Sequence, residues 1–223
     1  MSRPTDPWPA LALRAGRLSG PARQVHRAVL GAFTVSGKPP SPVEIERLIR
    51  ADGGDPDRVR AELTEADLLA FTASGEIRAA YPFSPVPTAI QVTWADGPDV
   101  YAMCAIDALG MSAMLGRPVT ITAAEPDTAR AITVTVDTGR ARWTPRAAVV
   151  FAGATSGRSC PSVDRCCGYI SFFVTARAAR AWARRHPEIS GYVLRRDAAL
   201  HFGIGAFGAL LEPEREESVD TER

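Results

Sequence analysis

The chain has 223 residues, 46% apolar and 7% aromatic, enough for one large core or for a small domain beside a medium one. A formal net charge of +1 provides no bulk field to draw it onto nucleic acid or an anionic membrane. No apolar run reaches the roughly 20 residues of a membrane helix, and the start, Met1 to Gly20, lacks the apolar stretch of a secretory signal; a cytoplasmic location with reduced thiols is expected.

The expected fold class is α+β. A loose start (1–20) precedes a small winged-helix-like helical domain (21–83). A mixed α+β catalytic core with antiparallel strands (84–211) and a charged tail (212–223) follow. Pro21 suits a first helical position, and Val25, Val29, Leu30 and Phe33 make one apolar stripe. Ser41-Pro42-Val43-Glu44 is a capping box ahead of Ile45, Leu48 and Ile49, and Gly53-Gly54 stops that helix. Asp55-Pro56 opens a third helix bearing Val59 and Leu63. The turn at Ser74-Gly75 and the extended Glu76–Tyr81 complete a pattern similar to a winged helix-turn-helix.

Residues 82–98 are proline-rich and read as a connection, in which Ala89–Trp94 suits a strand. Tyr101–Leu115 reads as a helix ended by Gly116-Arg117-Pro118. Val119–Thr122, Ile132–Val136, Ala147–Phe151 and Tyr169–Val174 read as strands. Thr175 is placed to cap a helix running through Trp182, and Asp197 to cap a last one reaching about Leu211.

All four cysteines lie in the second half, at 104, 160, 166 and 167. On a helix, Cys104 and Asp107 share a face with their Cβ atoms about 5–6 Å apart. A carboxylate there can take a thiol proton and return it. An aspartate with its usual pKa of about 3.9 is a poor acid at neutral pH, and burial beside Met103, Ile106 and Met111 would raise it. The cysteine spacing contains no C-x-x-C pair, and the histidines (26, 186, 201) are scattered, so it fits neither a zinc site nor a redox motif. Clustered thiolates with few nitrogen ligands suit Cu(I) or Hg(II) better.

Tyr101-Ala-Met-Cys104-Ala-Ile-Asp107-Ala-Leu109, followed by Leu115-Gly116-Arg117, resembles the first active-site segment of the organomercurial (alkylmercury) lyases. The second catalytic cysteine of that family stands five residues before a Phe-Phe pair, and counting back from Phe172 reaches Cys167. The resemblance spans about residues 25–211, with Ala181-Trp182 on a later helix. Gly168 stands where some members carry a further cysteine, whereas here Cys166 lies on the other side of Cys167. Neither Cys160 nor Cys166 receives a family role.

The resemblance implies protonolysis of a carbon–mercury bond to a hydrocarbon and Hg(II), serving mercury detoxification. Cys104 and Cys167 would bind mercury, with Asp107 beside them in the same set delivering the proton. No organic cofactor is implied. The expected partners are an organomercurial substrate and small-molecule thiols that collect Hg(II), or a mercuric reductase; no nucleic acid or membrane is expected. Two other classes fit parts of the sequence. One is a thiol-based metal-sensing winged-helix regulator, opposed by the acidic third helix, where Asp55, Asp57, Glu62, Glu65 and Asp67 outnumber Arg58 and Arg60. The other is a soft-metal carrier, in which Asp107 would be dispensable.

Overall fold

The computed structural model describes residues 11–137, 139–155 and 162–211. It opens with four helices, Leu11–Ala15 (α1), Gly20–Ser36 (α2), Pro42–Ala51 (α3) and Pro56–Glu65 (α4). Local chemistry sets their starts. The side chains of Ser19, Ser41 and Asp55 accept from the first-turn N–H groups of α2, α3 and α4, and each of these helices carries a proline in its first turn. Glu44 returns the bond to the Ser41 N–H at 2.7 Å, completing the expected capping box.

Short strands follow: Leu69–Phe71 (β1), Ile77–Ala80 (β2), Phe83–Ser84 (β3), Ile90–Thr93 (β4) and Val100–Ala102 (β5). Then come Ala105–Leu115 (α5), Val119–Ala124 (β6), Ala131–Asp137 (β7), Arg140–Thr144 (β8) and Val149–Thr155 (β9). The last part holds Ser162–Arg165 (α6), a 3₁₀ turn at Cys167–Tyr169, Ile170–Phe173 (β10), Ala176–Arg185 (α7), Ile189–Leu194 (β11) and Arg196–Phe207 (α8). The α+β class is therefore observed, with every strand pair among the described residues antiparallel. One sheet runs β1-β2-β3-β5-β4-β6-β7-β8 and the other β10-β9-β11. The hairpin after the three expected helices is thus no free wing. Through β3 it continues into the large sheet.

Helix α5 is the centre. Nearly all its residues are buried, so no polar stripe faces water. It packs against strands of the large sheet, against β10 and, most extensively, against α8. The α5–α8 crossing is close because glycines meet there: a Cβ on Gly110 would stand 2.4 Å from the Gly203 carbonyl oxygen. Helix α7 covers the small sheet through Trp182, which contacts Phe151 and Phe173 edge-on or tilted.

Several expectations change. The α5 helix starts at Ala105, not Tyr101, because Val100 and Ala102 are buried alternately and pair with β4 and β3. Residues 11–20 are not loose: α1 forms, and Leu11 and Leu18 are buried in the core. The connection at 82–98 holds β3 as well as the expected strand β4. Strands β8 and β11 were not expected. Their residues are mostly exposed, with only Trp143 buried in β8, so the apolar signal is thin. Asp197 does not cap α8. It sits in the first turn, with Arg195 at the cap.

Gly110→Ala inserts a methyl group into the α5–α8 crossing, and overpacking of this kind typically costs about 1–3 kcal/mol. The expected result is a clearly lowered midpoint of thermal unfolding, measured by circular dichroism. An unchanged midpoint would mean that the crossing opens without cost.

Candidate active site

Cys104 lies two residues beyond β5 and occupies the N-cap of α5, with extended backbone at φ −155°. Asp107 follows in the first helical turn. Both the thiol and the backbone N–H of Cys104 point hydrogen bonds at the Asp107 carboxyl. The two groups therefore meet across a helix start and not along a helix face, a sulfur-bearing version of the capping-box arrangement. Both are almost sealed, Cys104 at 4% and Asp107 at 5% exposure. Asp107 Oδ2 has no hydrogen-bond partner among the described residues.

The second half of the site arrives from far along the chain. Asp67, in the turn after α4, accepts from the Ser162 N–H at 3.0 Å and the Ser162 hydroxyl at 2.6 Å. The Tyr81 hydroxyl accepts from the Val163 N–H at 2.7 Å. Arg78 on β2 grips Asp164 with two bonds of 2.8 and 2.7 Å. Three successive residues of α6 are thereby clasped to the N-terminal part of the molecule. The Cys166 N–H then bonds Ser162 O, and the Tyr169 N–H bonds Cys166 O, which curls the chain into the turn that holds Cys167.

These pieces enclose a partly open cleft of about 480 Å³. Cys104, Asp107, Cys166 and Cys167 line it, with Tyr81, Asp67 and Arg14 on one side and Ile106, Ile170 and Phe207 among its apolar walls. Cys104, Asp107 and Cys167, singled out in the sequence, thus share one cavity, and Cys166 joins them. Cys160 lies outside the described residues. No histidine is among the lining residues. Among the described residues, no three of His, Cys, Asp and Glu are set to hold one ion together. The described cysteines are all thiols, not disulfides.

Burial dominates the electrostatics. It pushes the Asp107 carboxyl up to about 8, against the lowering effect of its bonds with Cys104. The Cys104 thiol is pushed well up, first by burial and then by the nearby Asp107. The hydrogen bond with Cys166, then burial, raises the Cys167 thiol. A helix N-terminus favours anions, but here desolvation outweighs it. At neutral pH the resting cleft therefore holds thiols and a protonated carboxyl. Such a set stays inert until a soft electrophile displaces a thiol proton, and it carries an acid ready to protonate what leaves.

Sequence reasoning missed Asp67, Arg78, Tyr81 and Ser162. Their partners lie 82 to 95 residues away, and nothing local marks them. It also missed Glu125, whose buried carboxylate takes the Val174 N–H, Thr128 and Arg130 and so anchors the end of β6 beside β10.

A family model described as alkylmercury lyase matches residues 83–208. An alkylmercury lyase of Streptomyces lividans is 28% identical over 147 residues, covering 66% of this chain and 67% of that one. One of Pseudomonas putida is 30% identical over 151 residues, covering 66% and 69%. The crystal structure of the mercury-bound form of MerB2 superposes with a TM-score of 0.68 at 23% identity, covering 90% of this chain and 96% of that one.

The raised Asp107 pKa has a consequence for stability. The folded carboxyl keeps its proton to about pH 8, whereas its unperturbed value is 3.8. The folded state binds the extra proton between those values, so this contribution is full below about pH 4 and gone above about pH 8. The stability of the wild type relative to Asp107→Asn should therefore fall as pH rises from 5 to 9 in urea unfolding. A difference that does not fall would place the carboxyl in its ordinary range.

Proposed function

This chain belongs to the alkylmercury lyase family, and from that premise we infer that Cys104, Cys167 and Asp107 carry out the cleavage of a carbon–mercury bond. The enzyme converts an organomercurial into a hydrocarbon and Hg(II), the reaction of mercury detoxification. The observation that most supports the residue assignment is the convergence of two buried thiols and one protonated carboxyl on a single cleft.

One thiol displaces the ligand X from R–Hg–X, forming a sulfur–mercury bond and releasing HX. Asp107 gives its proton to the carbon as the carbon–mercury bond breaks, and R–H leaves. The second thiol binds mercury and passes its proton to the Asp107 carboxylate, which restores the acid. Mercury remains in the +2 state, held by Cys104 and Cys167. The first sulfur donor pushes electron density through the metal toward carbon as that bond breaks, the second secures the product, and soft thiolates suit this ion. The closeness of Cys104 to Asp107 supports proton exchange between that pair. No organic cofactor is needed for any step.

Apolar walls such as Ile106, Ile170 and Phe207 favour alkyl and aryl groups with little selection, since pockets distinguish small apolar groups by only about 1–3 kcal/mol per methylene. Small-molecule thiols, or a mercuric reductase, would collect the product. In this reading the N-terminal helices and hairpin serve to dock α6, and the acidic α4 does not read DNA. No helix of the described residues is long and apolar enough to cross a membrane.

Single-turnover hydrocarbon release, with mercury bound per chain counted on the same sample, tests the assignment. Cys104→Ser and Cys167→Ser should each abolish release, because a hydroxyl neither ionises near neutral pH nor binds mercury well. Asp107→Asn should still bind mercury while losing about 10²–10⁴-fold in rate, the usual contribution of a general acid. Near-wild-type release by Asp107→Asn would remove its role and leave a mercury carrier.

A further inference from the structure

The cleft holds a third thiol that the cleavage steps do not use. Cys166 lines the same cavity as Cys104 and Cys167. Its Sγ donates to Ser162 O at 3.4 Å, and its side chain bonds that of Cys167. It differs from the other two in access. Cys104 and Cys167 are 4% and 6% exposed, whereas Cys166 is only half-buried. The thiols therefore run from a sealed interior to a position that solvent reaches.

That gradient bears on product release. Hg(II) held by two buried sulfurs leaves only when another thiol attacks the metal, and a solvent thiol has little room to reach the Cys104 side.

We propose that Cys166 is the exit ligand: it replaces Cys104 on mercury, so that Hg(II) passes from the Cys104–Cys167 pair to a Cys166–Cys167 pair nearer the mouth, from which small-molecule thiols remove it. The proposal rests on the lyase reading of Cys104 and Cys167. In the swap a Cys166 sulfur–mercury bond forms and the Cys104 sulfur–mercury bond breaks. The proton that leaves Cys166 is matched by one taken up by Cys104 from Asp107, its hydrogen-bond partner, and the carboxylate regains a proton from the released one. Mercury is neither oxidised nor reduced. Two solvent thiols then displace Cys166 and Cys167 in turn, each giving up a proton as it binds.

The test loads purified full-length protein directly with one equivalent of mercuric chloride and follows transfer of Hg(II) to glutathione by stopped flow. An internal thiol acts at an effective concentration on the order of millimolar, so at roughly 0.1 mM glutathione Cys166→Ser and Cys166→Ala should both transfer about tenfold more slowly than the wild type. The wild-type rate should level off at high glutathione, where the internal swap sets the pace, while the variants remain linear. Equal rates and equal concentration dependence in the wild type and both variants would overturn the proposal. So would loss of the single bound Hg(II) in both variants, since Cys166 would then be a primary ligand. Absence of hydrocarbon release by the wild type, measured separately with an organomercurial, would sink the lyase reading without affecting these transfer rates.

Discussion

Desolvation at the start of α5 is the constraint on which the site depends. A carboxyl and a thiol placed at an exposed helix N-terminus would ionise early, the first to a poor acid and the second to a ready target for oxidants. Here the helix is enclosed on all sides by sheet, β10 and α8. The interior withholds solvation from either charge, so both groups rest neutral. The close glycine contact at Gly110 and Gly203 is part of that enclosure, because it lets α8 come down far enough to shut out water.

The other half of the cleft is built on a different principle. Helix α6 has only four residues and no apolar stripe with which to fix itself. Its position comes from polar contacts on Asp67, Tyr81 and Arg78. Of these, the Arg78–Asp164 pair is substantially exposed and adds little stability. Tyr81 is itself buried, and loss of its hydroxyl would leave the half-buried Val163 N–H without that acceptor. Both thiols end in the same apolar cluster, Cys104 at the head of a core-packed helix and Cys167 in a turn whose lead-in is set by hydrogen bonds.

What the sequence made legible was local. The caps at Ser41, Asp55 and Thr175 and the stripe Val25–Phe33 are each contained within a few residues, and the structure contains them. The motif at Cys104 and Asp107 and the count from Phe172 to Cys167 are equally short, and the fold brings these residues to one cavity. Less was legible where distance or faint pattern ruled. The three-residue alternation of β5 is too brief to compete with a helical stretch, so Cys104 was expected inside the helix and not at its cap. The contacts of α6 join residues that have no pattern in common along the chain. Strands β8 and β11 carry so few buried side chains that only their pairing with β7 and β9 defines them.

The unbroken sheet from β1 to β8 has a further consequence. A winged helix that ends in its own hairpin is a portable unit, one that recombination can detach and fuse elsewhere. Here β2 hands its hydrogen bonds to β3, and the same apolar cluster includes Leu11 near one end and Leu210 near the other. Excising residues 1–81 would leave a raw sheet edge, remove Tyr81 and expose the apolar surface beneath. The helices and the reaction chamber therefore share one sheet and one apolar core, and neither can be cut from the other without opening both.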